Sequence, residues 1–277
     1  MSSAAQELRA SYAFVERNFY LVRRYLGWEV VFLVYTMVNT LTIGFIGVDS
    51  TGGTGGQPAT ALANERVLYL VIGALLWGFL SILFETVSEA VAWERWEGTI
   101  EYTFMAPVRR LTHLGGTCLF GIVYGVLRTA LVLLAVVLFF RLNLQGANLG
   151  SAFLVLVVSS FSFMGLGLIA AVLPLMSPER GPQATHIVQA LLLLVSGVYY
   201  DVAALPHWLQ PLAALSPATY TLAAARDALL RGAGVAQLAP DLWRLVALGL
   251  VLIPLGLAAF GWGERYALQP GKLKRNG

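Results

Sequence analysis

Residues 67–84 read VLYLVIGALLWGFLSILF, eighteen residues without one charged side chain. At a rise of about 1.5 Å per residue a helix of this length covers about 27 Å, close to the roughly 30 Å hydrocarbon core of a bilayer. Lipid offers no partner to a bare amide, so such a segment spans as a helix. Five more segments approach the same length: Val30 to Ile46, Leu119 to Phe140, Ser151 to Met176, Ile187 to Tyr200 and Leu245 to Trp262. In the Ile187 segment the uninterrupted apolar part is only AlaLeuLeuLeuLeuVal, 190–195, flanked by Gln189 and Gly197, so a short or broken helix is expected there.

Composition agrees with this reading over all 277 residues. Only 18 Lys and Arg and 15 Asp and Glu are present, 12% of the chain, where a soluble domain carries about 25%. Hydrophobic residues reach 58% and the mean hydropathy is +0.73, which a water-soluble globule of this size cannot cover with polar surface. The same numbers exclude intrinsic disorder, and the lone Cys118 excludes a disulfide scaffold and reads as a small apolar residue. The first twenty residues hold no apolar core followed by a small-residue cleavage site, so no removable signal peptide is expected.

Orientation follows from Lys and Arg, which are retained on the cytoplasmic side. With the N terminus inside, Arg9, Arg17, Arg23, Arg24, Arg95, Arg109, Arg110, Arg180, Arg265, Lys272, Lys274 and Arg275 fall inside. Arg66, Arg141, Arg226, Arg231 and Arg244 fall outside, and Arg128 lies within the third span. Twelve against five places both termini in the cytoplasm, with the protein multi-pass in the inner (plasma) membrane. The basic excess behind the pI near 9.1 is then membrane topology, and no nucleic-acid partner is expected.

Before the first span, Leu8, Tyr12, Val15, Phe19, Val22 and Leu26 recur at steps of four and three, which is one helical face. Arg23 and Arg24, with Arg9, Glu16 and Arg17, lie mostly off it. That is the pattern of a helix in the inner headgroup layer with its arginines toward anionic lipid; a solvated extension of the first span is the alternative. The Gly-rich stretch DSTGGTGGQPAT, 49–60, has neither the Lys nor the flanking strand of a phosphate-binding loop and reads as an external loop. His113, His186 and His207 are expected in loops on opposite faces, with no catalytic role.

Next to the opening stretch, residues 85–110 read ETVSEAVAWERWEGTIEYTFMAPVRR. Five of the fifteen carboxylates fall in its first seventeen residues. On a helix Glu94, Glu97 and Glu101 share a face; Gly98 implies a bend or a close approach of another backbone, and Pro107 is expected to end the helix. A solvated loop has no use for Trp93 and Trp96, so a docking surface is expected here.

These residues resemble the membrane subunit of ABC transporters of the type 2 export class. The resemblance rests on Glu94-Arg95-Trp96-Glu97-Gly98-Thr99-Ile100-Glu101 followed by Ala106-Pro107, and on Ser196-Gly197-Val198-Tyr199-Tyr200, Leu205-Pro206-His207-Trp208-Leu209 and Leu215-Ser216-Pro217-Ala218-Thr219-Tyr220. Trp96 and Asp201 depart from the usual pattern, which has a charged or small residue at the first and an apolar residue or Pro at the second.

The resemblance implies an all-α polytopic fold in a single transmembrane domain over 1–277, with six transmembrane helices and an N-terminal amphipathic interfacial helix (1–28). It implies a cytoplasmic coupling region (85–112), in which Glu94, Arg95, Trp96, Glu97, Gly98, Thr99, Glu101 and Pro107 meet a separate ATPase. It also implies short re-entrant helices (201–241), for which Pro206, Pro211, Pro217 and Pro240 are too many for one spanning helix. Two ABC ATPase copies and a second permease, identical or homologous, complete the working unit. ATP and Mg belong to the ATPase, and this chain binds no cofactor. Cargo is expected to be an amphipathic drug-like, lipid-like or glycan molecule moved outward.

Arg128 sits about 14 Å into its span, too deep for simple snorkelling. It either lines the pathway or subunit interface, or pairs with a polar group of a neighbouring helix. A gradient-driven secondary transporter using Arg128 is the competing function, disfavoured because no carboxylate lies mid-span.

Overall fold

The structure, a computed structural model, describes residues 4–50, 52, 61–98, 100, 105, 110–142, 144, 146–177 and 179–267. Among these residues every regular element is helical: α1 (Ala4–Arg24), α2 (Leu26–Asp49), α3 (Ala61–Glu97), α4 (Arg110–Phe140), α5 (Leu149–Ala170), α6 (Val172–Met176), α7 (Gly181–Val195), α8 (Gln210–Leu215), α9 (Pro217–Leu230) and α10 (Val235–Ala267). A 3-10 turn, Val202–Ala204, stands between α7 and α8. The protein is thus an all-α, multi-pass membrane protein. Five stretches are long and apolar enough to cross a bilayer: α2, most of α3, most of α4, α5 with α6, and α10.

The Ile187 segment is the short helix expected, with different bounds. Its helix α7 starts earlier, at Gly181, and stops at Val195 after 15 residues, about 22 Å. Residues 196–200 are turns instead, because Gly197 takes a left-handed φ of +68° and the carbonyls of Gly197 and Val198 are bonded to the Arg226 side chain rather than to a following helical turn.

The fourth span is also not one helix. Pro174 has no amide to give the carbonyl of Ala170, and α5 ends there before the short α6 resumes. Conversely, α10 begins ten residues before the predicted span and runs through Pro240 and Pro254. Pro206, Pro211 and Pro217 do separate short pieces, but Pro240 belongs to the last helix.

α3 is the central helix of the bundle. It contacts α2, α4, α5, α6, α7 and α9, and 72% of its spanning window is buried, against 17% for α2 and for α4. α3 is thus the span most enclosed by protein, whereas α2 and α4 leave wide apolar faces uncovered by the rest of the chain. Three apolar clusters stack along α3: Val67, Val71 and Leu75 near its start, Phe79, Leu80 and Leu83 midway, and Val87 and Val91 toward its end.

α5 and α10 pack closely, because small residues let the backbones approach. A Cβ on Gly256 would lie 2.7 Å from the Gly165 carbonyl oxygen, and Ser162 Oγ donates to the Leu245 carbonyl at 2.7 Å.

Candidate functional site

α3 does not stop where the apolar run ends. It continues as one 37-residue helix, about 55 Å long, so its charged end is a rigid extension of the most buried span. It ends at Glu97, earlier than the Pro107 stop expected from sequence. Gly98 takes φ +74°, the left-handed cap that glycine adopts at low cost, and a Cβ there would meet only open space. Gly98 therefore terminates the helix and is not a point of close approach. Thr99, Glu101 and Pro107 lie outside the described residues.

The predicted site residues divide into two groups. Glu94 and Arg95 are each 5% exposed. Trp96 and Glu97 are open, and Trp96 meets the exposed Trp93 edge to face with ring centroids 5.8 Å apart. Glu94 and Glu97 thus do not share an exposed face.

Burial of Glu94 is explained by its partners. Its Oε1 accepts from Arg17 Nη1 at 3.3 Å and lies 3.4 Å from His113 Nε2, so one carboxylate joins α1, α3 and α4. The rest of the α1 to α4 contact supports this junction. Phe14 packs on the His113 ring at 4.6 Å, Ser11 Oγ donates to the Thr112 carbonyl at 3.4 Å, and Thr112 donates to Glu7. Gly116 lets the helices meet, since a Cβ there would lie 2.7 Å from the Ser11 carbonyl oxygen.

The face of α1 that meets protein thus carries Glu7, Ser11, Phe14 and Arg17. Leu8 and Tyr12 of the predicted apolar stripe are turned away, 72% and 68% exposed, and Val15 is half-buried, while Phe19 packs edge to face on Phe120 with ring centroids 5.2 Å apart. Arg23 and Arg24 are exposed at the helix end, where they also suit the helix dipole.

His113 and Arg17 were not singled out from sequence. His113 is buried in the first turn of α4, and His186 lies within α7, so neither is in a loop. A histidine beside two arginines carries no signal that a carboxylate nineteen residues earlier will fold against it.

Arg128 is held by α2. Its Nη2 donates to the Phe32 carbonyl at 2.8 Å and to Thr36 Oγ1 at 2.7 Å, and its Nη1 lies 3.3 Å from the Tyr124 hydroxyl. Tyr124 in turn donates to Glu29. The cost of a mid-span charge is offset by hydrogen bonds from a neighbouring helix.

Another arginine was missed. Arg226, in the α9 run AlaAlaAlaArgAsp, is 9% exposed and lies over the Tyr69 ring at 3.6 Å. Its Nη1 and Nη2 donate to the Gly197 and Val198 carbonyls at 3.1 and 2.6 Å. A lone cation in an alanine-rich helix was the available signal, and counting it only as an outer-loop charge concealed it.

Between α1, the start of α2, the charged end of α3 and the start of α4 lies a groove of about 690 Å³, bordered by Arg17, Trp28, Glu29, Glu89, Trp93 and Phe120. A bundle with long apolar spans, a rigid charged extension and a helix clasped beside it defines a multi-pass membrane protein. The chain belongs to the ABC-2 type transporter membrane family, whose model matches residues 11–230, and it is a permease subunit of that class. No curated protein matches it. The family implies an ABC ATPase as partner and, typically, another permease.

Proposed function

We propose that the chain is the permease of an ATP-driven exporter that moves an amphipathic drug-like, lipid-like or glycan cargo out of the cytoplasm. It sits in the inner (plasma) membrane with both termini cytoplasmic. Two copies of a separate ABC ATPase hold the ATP and Mg, and a second permease, identical or homologous, completes the pathway.

The observation that supports this reading is the continuous α3. The ATPase docks on Trp96, Glu97 and Gly98, with Thr99, Glu101 and Pro107 following in the chain. Load applied there passes along a helix without a break into the packed centre of the bundle. Glu94, through Arg17 and His113, makes α1 and the start of α4 move with that end. Closure of the ATPase pair then shifts a packed body between two arrangements, a switch with a remote drive. α8 and α9 are short helices of the kind that re-enter the outer leaflet and cap the path. Arg128 is occupied by α2, which weighs against a gradient-driven carrier using it.

The test is reconstitution with the ATPase. Glu97→Arg and Trp96→Ala, both on the open surface, are expected to lose ATPase co-purification and ATP-driven transport while membrane insertion and thermal stability stay unchanged. A chain that transports alone in liposomes without ATP would sink the reading.

A further inference from the structure

We propose that the groove between α1, α2, α3 and α4 is a binding site for an amphipathic organic cation. The claim deepens the exporter reading, on which it rests only for the fate of the bound molecule; binding itself is separable from ATP-driven transport.

The groove holds about 690 Å³, within the roughly 300–1,000 Å³ of small-molecule clefts. It lies where chemistry changes along the helices. Toward the spans its wall is Phe32 and Phe120, and toward the charged ends it is Glu97 and Arg17. A molecule seated there has one apolar part and one polar part.

Charge sets the sign. Four carboxylates line the groove, Glu29, Glu89, Glu94 and Glu97, against Arg17 and His113. Both of those basic groups are already at Glu94 Oε1, at 3.3 and 3.4 Å. Glu29 accepts the Tyr124 hydroxyl, whereas Glu89 and Glu97 are exposed. The lining therefore carries surplus negative charge, which repels an anionic headgroup or a phosphate.

Aromatic groups set the class of cation. Trp28 and Trp93 border the groove and are 65% and 57% exposed, open to a ligand rather than spent on the core. Tryptophan faces beside carboxylates favour a cation with a large, weakly hydrated surface, because ring quadrupole and desolvation act together. A hydrated metal ion gains nothing from such walls.

The probe is radiolabelled tetraphenylphosphonium, measured by equilibrium binding to the full-length chain in nanodiscs of zwitterionic lipid, with tetraphenylborate as the anion of the same shape. Saturable binding of the phosphonium is expected, with no saturable component for the borate. Glu89→Gln and Trp93→Ala are each expected to weaken binding about fivefold or more. Both side chains are exposed, so thermal stability should hold; Trp28→Ala replaces either variant that fails to fold.

Absence of saturable phosphonium binding above empty nanodiscs overturns the proposal, as does wild-type affinity in both variants or saturable binding of the borate, measured separately, with equal affinity. No ATPase or nucleotide is present, so loss of binding leaves the exporter reading standing. Loss of ATP-driven transport in reconstitution leaves the binding result standing.

Discussion

Replacing Gly116 by alanine tests whether α1 is clasped to the bundle or merely lies near it. The new Cβ would sit 2.7 Å from the Ser11 carbonyl oxygen and 2.8 Å from Phe14 Cβ. Ordinary contacts of this kind are about 3.5–4.0 Å, and backbone and first side-chain atoms cannot swing aside, so α1 has to move outward by roughly 0.7–1 Å. The same displacement stretches the 3.3 Å contact between Arg17 and Glu94 to about 4 Å, beyond hydrogen-bond reach. Overpacking of this kind costs about 1–3 kcal/mol, which at about 1.4 kcal/mol per decade raises the undocked fraction of α1 about fivefold to a hundredfold. Hydrogen exchange of the full chain in nanodiscs reads this directly. Amides of residues 7–20 and 112–120 should exchange at least about fivefold faster, while those of residues 245–260 in α10 keep their wild-type rates. Exchange in both α1 and α4 segments within twofold of wild type would refute the argument that Gly116 and Glu94 hold α1 in place.

Three further outcomes follow from particular contacts. Arg226→Ala leaves the Gly197 and Val198 carbonyls without their donor in a buried site, so stability should fall by about 2–4 kcal/mol; Arg226→Lys should not restore it, because one ammonium replaces neither the paired donors nor the stacking on Tyr69. Thermal melting in detergent reads both. Gly256→Leu drives a side chain into the Gly165 carbonyl and Leu168, 2.7 Å from its Cβ, and should abolish accumulation of folded protein, whereas Gly261→Leu, with open space around it, should not; fluorescence-detected size exclusion separates the two. Arg128→Ala should lower the melting temperature through loss of the bonds to Phe32 and Thr36, yet leave transport per folded molecule unchanged; loss of transport at full stability would instead place Arg128 in the pathway.

Much of the bundle was legible in one dimension because a bilayer imposes a length and a polarity that need no knowledge of neighbours. Residues 67–84 announce a span whatever packs against them, and four of the other five segments contain long apolar helices. The misses share a cause. The expected fifth segment runs on to Tyr200, but Arg226, nearly thirty residues later, binds the Gly197 and Val198 carbonyls and holds 196–200 as a turn. Pro240 looks like a breaker until it is placed in the second turn of α10, where only one helical hydrogen bond is lost. At the end of α3 the acidic spacing suggested one open surface, but Glu94 is buried and Glu97 exposed, since which carboxylate is buried depends on where α1 and α4 lie.

What the chain determined alone is therefore its class: all-helical, multi-pass, with charge gathered beyond the second span, because hydropathy and helical rise are properties of a segment. Tertiary structure alone decided which charges work on the surface and which hold the body together. Glu94, Arg128 and Arg226 are carboxylates and guanidiniums like any others in the sequence. A buried charge takes its role from its partners, and Arg17, His113, Thr36, Tyr69 and the carbonyl of Val198 reach them only when distant helices are packed side by side.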